Sequence, residues 1–323
     1  MAAKLTFNDL AMKVHQDDIG KIDFSVALNE LHMKEDGRLV RINKLASSGL
    51  ILSDHAFGQA LGTFGMPIKY GRRLLEERPD LLANEFNHWA HKETDKKVLI
   101  RIRKGQQMIR GFLSDKYTIL DNRNILEVIT GLLNDNRVSI KIFYLDDNRL
   151  HIRIIFKETK IDIGNGKEDI FYSGIDILNS EVGLCSALCR VMLYRQICTN
   201  GAVAMIENAE YVHRHIGIST EALTVGFSNI IETGMEKGEL AIKKLVATKQ
   251  IVVSDPIHYI EKVSEDLYSK KFVEDVKGFY AQEPEENIFG IIAAFTRAAR
   301  SLNDIGRVEV EKFASELMAR KIA

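Results

Sequence analysis

The stretch VSIKIFYLDDNRLHIRIIFKETKI, residues 138–161, decides the fold. Two runs rich in β-branched and aromatic residues flank Asp146-Asp147-Asn148, and so short a polar break between strands makes a hairpin. A hairpin sets its strands antiparallel. Upstream, KKVLIRIRK (96–104) and QMIRGFLSDKYTIL (107–120) read as two more strands around a turn at Gly105. Between the two pairs, NRNILEVITGLLND (122–135) places Ile125, Val128, Ile129 and Leu132 on one side of a helix. Downstream, GNGK (164–167) is a turn, FYSGIDILNS (171–180) is a fifth strand and ALCRVMLYRQICTNG (187–201) is strand-like or mixed. Strands do not alternate regularly with long helices, so a doubly wound parallel sheet is not indicated. The expectation is an α+β fold, with an antiparallel sheet and a central helix over residues 96–218.

The flanks read differently. Within 1–95, GRLVRIN is strand-like, but three helical runs dominate. Ser53 or Asp54 caps HAFGQALGTFG, Pro67 opens the next helix, and Pro79 opens DLLANEFNHWAHKE with Leu82, Phe86 and Trp89 as a core face. From Ser219, a helix cap, the pattern is helical to residue 323. Asp255-Pro256 starts one of these helices, and ENIFGIIAAFTRAARSLND is a mostly buried one. Ile288, Ile292 and Phe295 form its apolar stripe, widened by Phe289 and Ala293, and the stripe packs either in the chain's own core or at a subunit interface. Three zones follow: 1–95 mixed and helical, 96–218 a basic α+β core, and 219–323 helical.

Composition excludes several classes. With 46% hydrophobic residues the chain has enough apolar surface to fold, so disorder is not expected. No apolar run approaches the roughly 18–20 residues of a membrane span, and the first residues are too charged for a signal-peptide core, so a cytoplasmic location is expected. Cys185, Cys189 and Cys198 contain no C-x-x-C pair, which argues for buried reduced thiols over a disulfide framework or a zinc site. No phosphate loop, dinucleotide fingerprint, nucleophile elbow or HExxH occurs. His88 and His91 lack the further ligands a metal needs, as do His213 and His215. No catalytic residue, metal or cofactor is assigned.

Charge is more informative. Residues 96–161 hold 14 Lys/Arg against 7 Asp/Glu, inside a chain of net charge -1. Lys97, Arg101 and Arg103 alternate with Val98, Ile100 and Ile102, while Arg110, Lys116, Arg149 and Arg153 lie on neighbouring strands with Tyr117, Phe112 and Tyr144 nearby. Such a stripe suits a sheet that tracks a phosphate backbone while aromatics stack on bases. The plainer reading is that antiparallel sheets carry lysine and arginine on their wet face in any case.

The run GFLSDKYTILDNRNILEVI (111–129) resembles a block of the phage/plasmid-like protein family built on domain of unknown function nine-three-two. GIDILNSEVGLCSALCRVMLYRQICTNGAV resembles a second block, carried here by Asn179, Ser180, Gly183, Arg195, Cys198, Asn200 and Gly201, and His215 stands where the family often has a histidine. ALGTFGMPIKYGRRLLEERPDLLANEFNHW and NIFGIIAAFTRAAR resemble its upstream and C-terminal helices, so the resemblance covers nearly the whole chain. It implies a bacterial host cell and a phage, prophage or plasmid origin, and no activity. A distant similarity to Rad fifty-two-type single-strand annealing proteins would fit a basic sheet with a central helix, and implies rings or filaments. In the signature, turn chemistry accounts for the Asn179-Ser180 and Asn200-Gly201 pairs, and Arg195 pairs with an acidic neighbour or binds phosphate.

The leading expectation is a non-catalytic, homo-oligomeric protein that binds single-stranded DNA on the basic sheet, in recombination or replication of a mobile element. Its rivals are an interaction factor that docks a host or phage partner through the acidic helical C-terminal region, and an enzyme whose site is assembled from dispersed residues.

Overall fold

The computed structural model describes residues 6–42, 49–134, 136–164, 168–196, 202–217, 219–265, 267–302 and 304–322. In chain order the elements are α1 (Phe7–Asp18), β1 (Lys21–Ala27), β2 (Leu31–Met33), β3 (Leu39–Ile42), β4 (Leu50–Leu52), α2 (Asp54–Thr63), α3 (Ile68–Glu77) and α4 (Pro79–Lys92). Then come β5 (Lys97–Arg103), β6 (Met108–Ser114), α5 (Asn122–Leu132), β7 (Val138–Leu145), β8 (Leu150–Phe156), β9 (Ile161–Asp162), β10 (Ile170–Asn179), β11 (Ala187–Gln196) and β12 (Ala202–His213). Five helices follow: α6 (Thr220–Ala247), α7 (Pro256–Ser264), α8 (Lys270–Gln282), α9 (Ile288–Ala298) and α10 (Asp304–Ile322). The class is α+β, with a helical C-terminal region.

The strands form two sheets where the sequence suggests one. The first runs β1-β5-β6-β4-β3-β2 and the second β12-β11-β10-β8-β7, with β9 added on β10. All pairs are antiparallel except β4 with β6. The β7–β8 hairpin forms as its turn dictates: Asp146 Oδ1 accepts the N–H groups of Asn148 and Arg149, both at 2.8 Å. The first sheet crosses position 95/96, because β1 pairs along its whole length with β5. KIDFSVA alternates Ile22, Phe24 and Val26 with polar residues, the period of a half-covered strand.

Three large apolar cores, with a small cluster of Ile155, Met192 and Tyr194 on the second sheet, hold these layers. One face of the first sheet packs on α2 and α4 through Phe57, Leu61, Leu82 and Phe86; Trp89, unlike the expected core face, is 37% exposed, and Ala83 and Ala90 are buried instead. One face of the second sheet packs on α1, α5 and the first half of α6. The third core joins the second half of α6 to α7–α10. Ile288, Phe289, Ile292 and Phe295 are all buried there, so that stripe is used within the chain. Helix α6 comes unusually close to its sheet. A Cβ on Gly226 would meet the Tyr211 ring at 2.5 Å, and one on Gly238 would meet Ser173 at 2.2 Å.

Candidate functional site: the seam between the sheets

The face of the first sheet away from its helices meets the loop after β10. The expected wet stripe is therefore buried. Arg101, Arg110 and Arg153 are 1–3% exposed, and Arg103 is half-buried. They also divide between the sheets, Arg101, Arg103 and Arg110 on the first and Arg149 and Arg153 on or beside the second. A charge so deep must be neutralised. Arg101 forks onto Asp23 (2.8 and 2.9 Å), reaches Asp121 at 2.6 Å and donates to the Glu181 carbonyl at 2.8 Å. Arg103 pairs with Asp17 and Asp147, and Arg153 donates to Asp176 at 2.9 Å. Lys97 and Lys116 are exposed. Arg149 is half-buried, with its guanidinium 5.0 Å from the Tyr144 ring centre. The single solvent-facing stripe does not form: Arg101, Arg103 and Arg153 are structural counter-charges, paired with Asp17, Asp23 and Asp176 from outside residues 96–161 and with Asp121 and Asp147 from within it.

Glu181 is the hub of this seam. Its carboxylate, 1% exposed, accepts Lys21 Nζ at 3.0 Å, Arg110 Nη2 at 2.6 Å and the Asn122 N–H at 2.8 Å. Burial alone would push its pKa up, but the charges of Arg110 and Lys21 and the Asn122 N–H prevail and hold it at about 2.

Three of the signature residues, Asn179, Ser180 and Gly183, lie at the same loop, whereas Arg195 stands near the far end of β11, opposite Phe171. Asn179 donates to the Leu120 carbonyl at 3.1 Å and to Asn122 Oδ1 at 2.9 Å, a tie across the fold where sequence reading expects a local turn bond. Ser180 does make the local turn: its hydroxyl accepts the N–H groups of Val182 and Leu184 and donates to the Asn148 carbonyl at 2.6 Å. Gly183 sits at φ +76°, and a Cβ there would stand 2.9 Å from Leu113. Arg195 forks onto Asp169 at 2.6 and 2.8 Å, with its guanidinium over Phe289. Cys198, Asn200 and Gly201 lie outside the described residues, as does most of GNGK at 164–167.

At the end of the seam lies a cleft of about 530 Å³, lined among others by Leu113, Tyr117, Gly183, Leu184, Cys185, Arg214, His215 and Ile216. Tyr117 and His215 stack in its wall, with ring centres 5.0 Å apart and planes 9° from parallel. Two hydrogen bonds fix the pair: Tyr117 Oη donates to the Ser180 carbonyl at 2.7 Å, and the Thr118 N–H donates to the His215 carbonyl at 2.7 Å. Burial lowers the His215 pKa; the Thr118 backbone opposes this, while Arg101 and His213 add to it. His215 is 3% exposed, and among the described residues neither Nδ1 nor Nε2 completes a hydrogen bond. A buried polar group left so costs about 1–3 kcal/mol, which marks a place where a partner would be welcome.

The rim is mixed. Leu184 and Ile216 are each 50% exposed, and Arg214 points into solvent beside them. Cys185 is half-buried, which departs from the expected full burial, whereas Cys189 is fully buried. Burial pushes the Cys185 thiol up to about 11 against the opposing charge of Arg149, so at neutral pH it is a thiol and not an activated thiolate. Of the residues expected to touch nucleic acid, only Tyr117 lines the cleft; Lys116 is next to it in the chain, and Arg149 acts on Cys185. Sequence reasoning missed Glu181, Cys185 as a cleft residue, and the Leu184–Ile216 rim. The available signal was that Tyr117 and Gly183 lie in the two quoted blocks of the resemblance and that His215 follows shortly after the second. Among the described residues no group of His, Cys, Asp or Glu is arranged to hold a metal ion, and no helix is long and apolar enough to cross a membrane. No family model, curated protein or solved structure matches the chain.

Proposed function

We propose that this protein binds single-stranded nucleic acid, without a cofactor, at the cleft beside Tyr117 and His215. The observation that carries the reading is the buried, hydrogen-bond-deficient imidazole in a cleft with an apolar and cationic rim. Leu184 and Ile216 offer an exposed surface against which an unstacked base can lie. His215 offers one donor and one acceptor in its neutral form. Arg214 and Lys116 supply the charge that phosphates need. A cleft of about 530 Å³ is ligand-sized, which suits a splayed base and not a duplex, whose bases stay stacked. The role in recombination or replication of a mobile element, and assembly into a homo-oligomer, come from the resemblance and form part of the same proposal.

Fluorescence anisotropy with labelled single- and double-stranded oligonucleotides at two salt concentrations tests it. The single strand should bind more tightly, and Arg214→Ala with Lys116→Ala should weaken binding and flatten the salt slope by about 0.7 for each lost phosphate contact. His215→Ala should weaken binding with little change in slope. Absence of binding at low salt, or unchanged affinity in these variants with the fold intact, would sink the reading. Light scattering that reports only 36.6 kDa, with and without oligonucleotide, would remove the oligomer.

A further inference from the structure

The second sheet carries another cationic row, on the face opposite α6. Arg153, Asp176 and Arg190 are register neighbours across β8, β10 and β11. Asp176 uses both oxygens on them: Oδ1 accepts Arg153 Nε at 2.9 Å and contacts His151 Nε2 at 2.7 Å, while Oδ2 accepts Arg190 Nη2 at 2.6 Å. Helix α10 closes over this row with Glu311. Glu311 Oε1 accepts Arg307 Nε at 2.9 Å. Oε2 stands 3.6 Å from Arg153 Nη2 and 3.7 Å from Arg190 Nη2, near enough to attract and too far to bond.

The closure is poorly satisfied. Among the described residues Glu311 Oε2, Arg153 Nη1 and Arg190 Nη1 have no hydrogen-bond partner, and all three side chains are at most 2% exposed. Among the described residues three guanidinium groups, Arg153, Arg190 and Arg307, meet two carboxylates, Asp176 and Glu311. The same face continues through Tyr172 and Tyr194, register partners that share the parity of Asp176 and Arg190. The apolar side of α10 is held elsewhere: Phe313 packs its ring on Phe295 and Tyr268.

We propose that Arg153 and Arg190 form a phosphoryl-binding site, and that Glu311 of α10 stands in for the phosphate oxygens while the site is shut. A phosphoryl group has several acceptor oxygens around one centre and can bond both open guanidinium edges, which one carboxylate oxygen at 3.6–3.7 Å does not. The phosphodiester form of the proposal rests on the nucleic-acid reading above; a free polyphosphate has the same chemistry and does not need it.

The test uses the full chain with two probes, inorganic tripolyphosphate and a labelled single-stranded oligonucleotide, and follows affinity together with hydrogen exchange of α10. Glu311→Gln should bind tripolyphosphate at least tenfold more tightly than the parent, and α10 should lose exchange protection when the probe saturates either protein. If Glu311→Gln fails to fold, exchange in the parent protein decides alone. Opening of α10 by tripolyphosphate in a chain that binds no oligonucleotide supports this site and removes the cleft reading. Opening by oligonucleotide in the Arg214→Ala, Lys116→Ala variant supports a strand site separate from the cleft. Unchanged affinity in Glu311→Gln, with α10 as protected at saturation as without the probe, would overturn the proposal even if the cleft binds oligonucleotide.

Discussion

Replacing Glu181 with glutamine removes one charge from a buried cluster and almost nothing else. The carboxyl is held at about 2 against an ordinary 4.5, which corresponds to about 3 kcal/mol of stability in the ionised protein. Removing one partner of a buried ion pair leads to a similar figure, about 3–5 kcal/mol, since Lys21 and Arg110 would keep their charges at 7% and 3% side-chain exposure. Because the folded-state pKa lies below the unfolded one, the stabilisation is complete above about pH 4.5 and is lost as pH falls toward 2. Urea unfolding of the parent and Glu181→Gln proteins should therefore differ by about 3 kcal/mol at pH 7 and by less than half of that at pH 3. The difference between the two proteins isolates this group from the other carboxylates. A gap under about 1 kcal/mol at pH 7, or one that does not shrink with acid, would refute the hub role, since an exposed pair gives such small values.

Two glycines should respond in opposite directions. Gly238→Ala drives a methyl to 2.2 Å from buried Ser173 and should destabilise by about 1–3 kcal/mol or more, whereas Gly278→Ala, with nothing within 4 Å, should stabilise α8 by up to about 1 kcal/mol; matching midpoints in urea would contradict the close packing of α6. Cys185, raised from 9.0 to about 11, should react with a thiol reagent at pH 8 roughly a hundredfold more slowly than a free cysteine, and Cys189 only after unfolding, with peptide mapping to locate the label. Rapid native labelling of Cys189 would mean that the second sheet opens far more readily than its burial implies.

Local signals read well in this chain. The hairpin over 138–161, the Ser219 cap and the Asp255-Pro256 start each depend on a few adjacent residues, and all three form. What failed to show is pairing at a distance. Arg101 meets Asp23 across 78 positions and Arg110 meets Glu181 across 71, and no spacing rule links such residues. Their trace is the uneven charge by zone: the cationic surplus in 96–161 answers acids at Asp17, Asp23, Asp176, Glu181 and Glu311, all outside that segment. Arginines that read as a basic surface are instead paired with these acids in the fold. The cleft was half legible: Tyr117 and Gly183 stand in the two quoted blocks and His215 shortly after the second, but the Tyr117–His215 stack joins residues 98 positions apart.

Helix α6 belongs to two cores at once. Leu223, Phe227 and Ile231 in its first half pack with α1, α5 and the second sheet, while Ala241, Ile242 and Leu245 in its second half pack with α8–α10. At about 1.5 Å per residue its 28 residues run roughly 42 Å as one rod, so neither core can lose order without loosening the end of the rod in the other. The helical C-terminal region and the second sheet then share a single cooperative fate, and position 219 marks a change of sequence pattern without marking a line along which the protein comes apart.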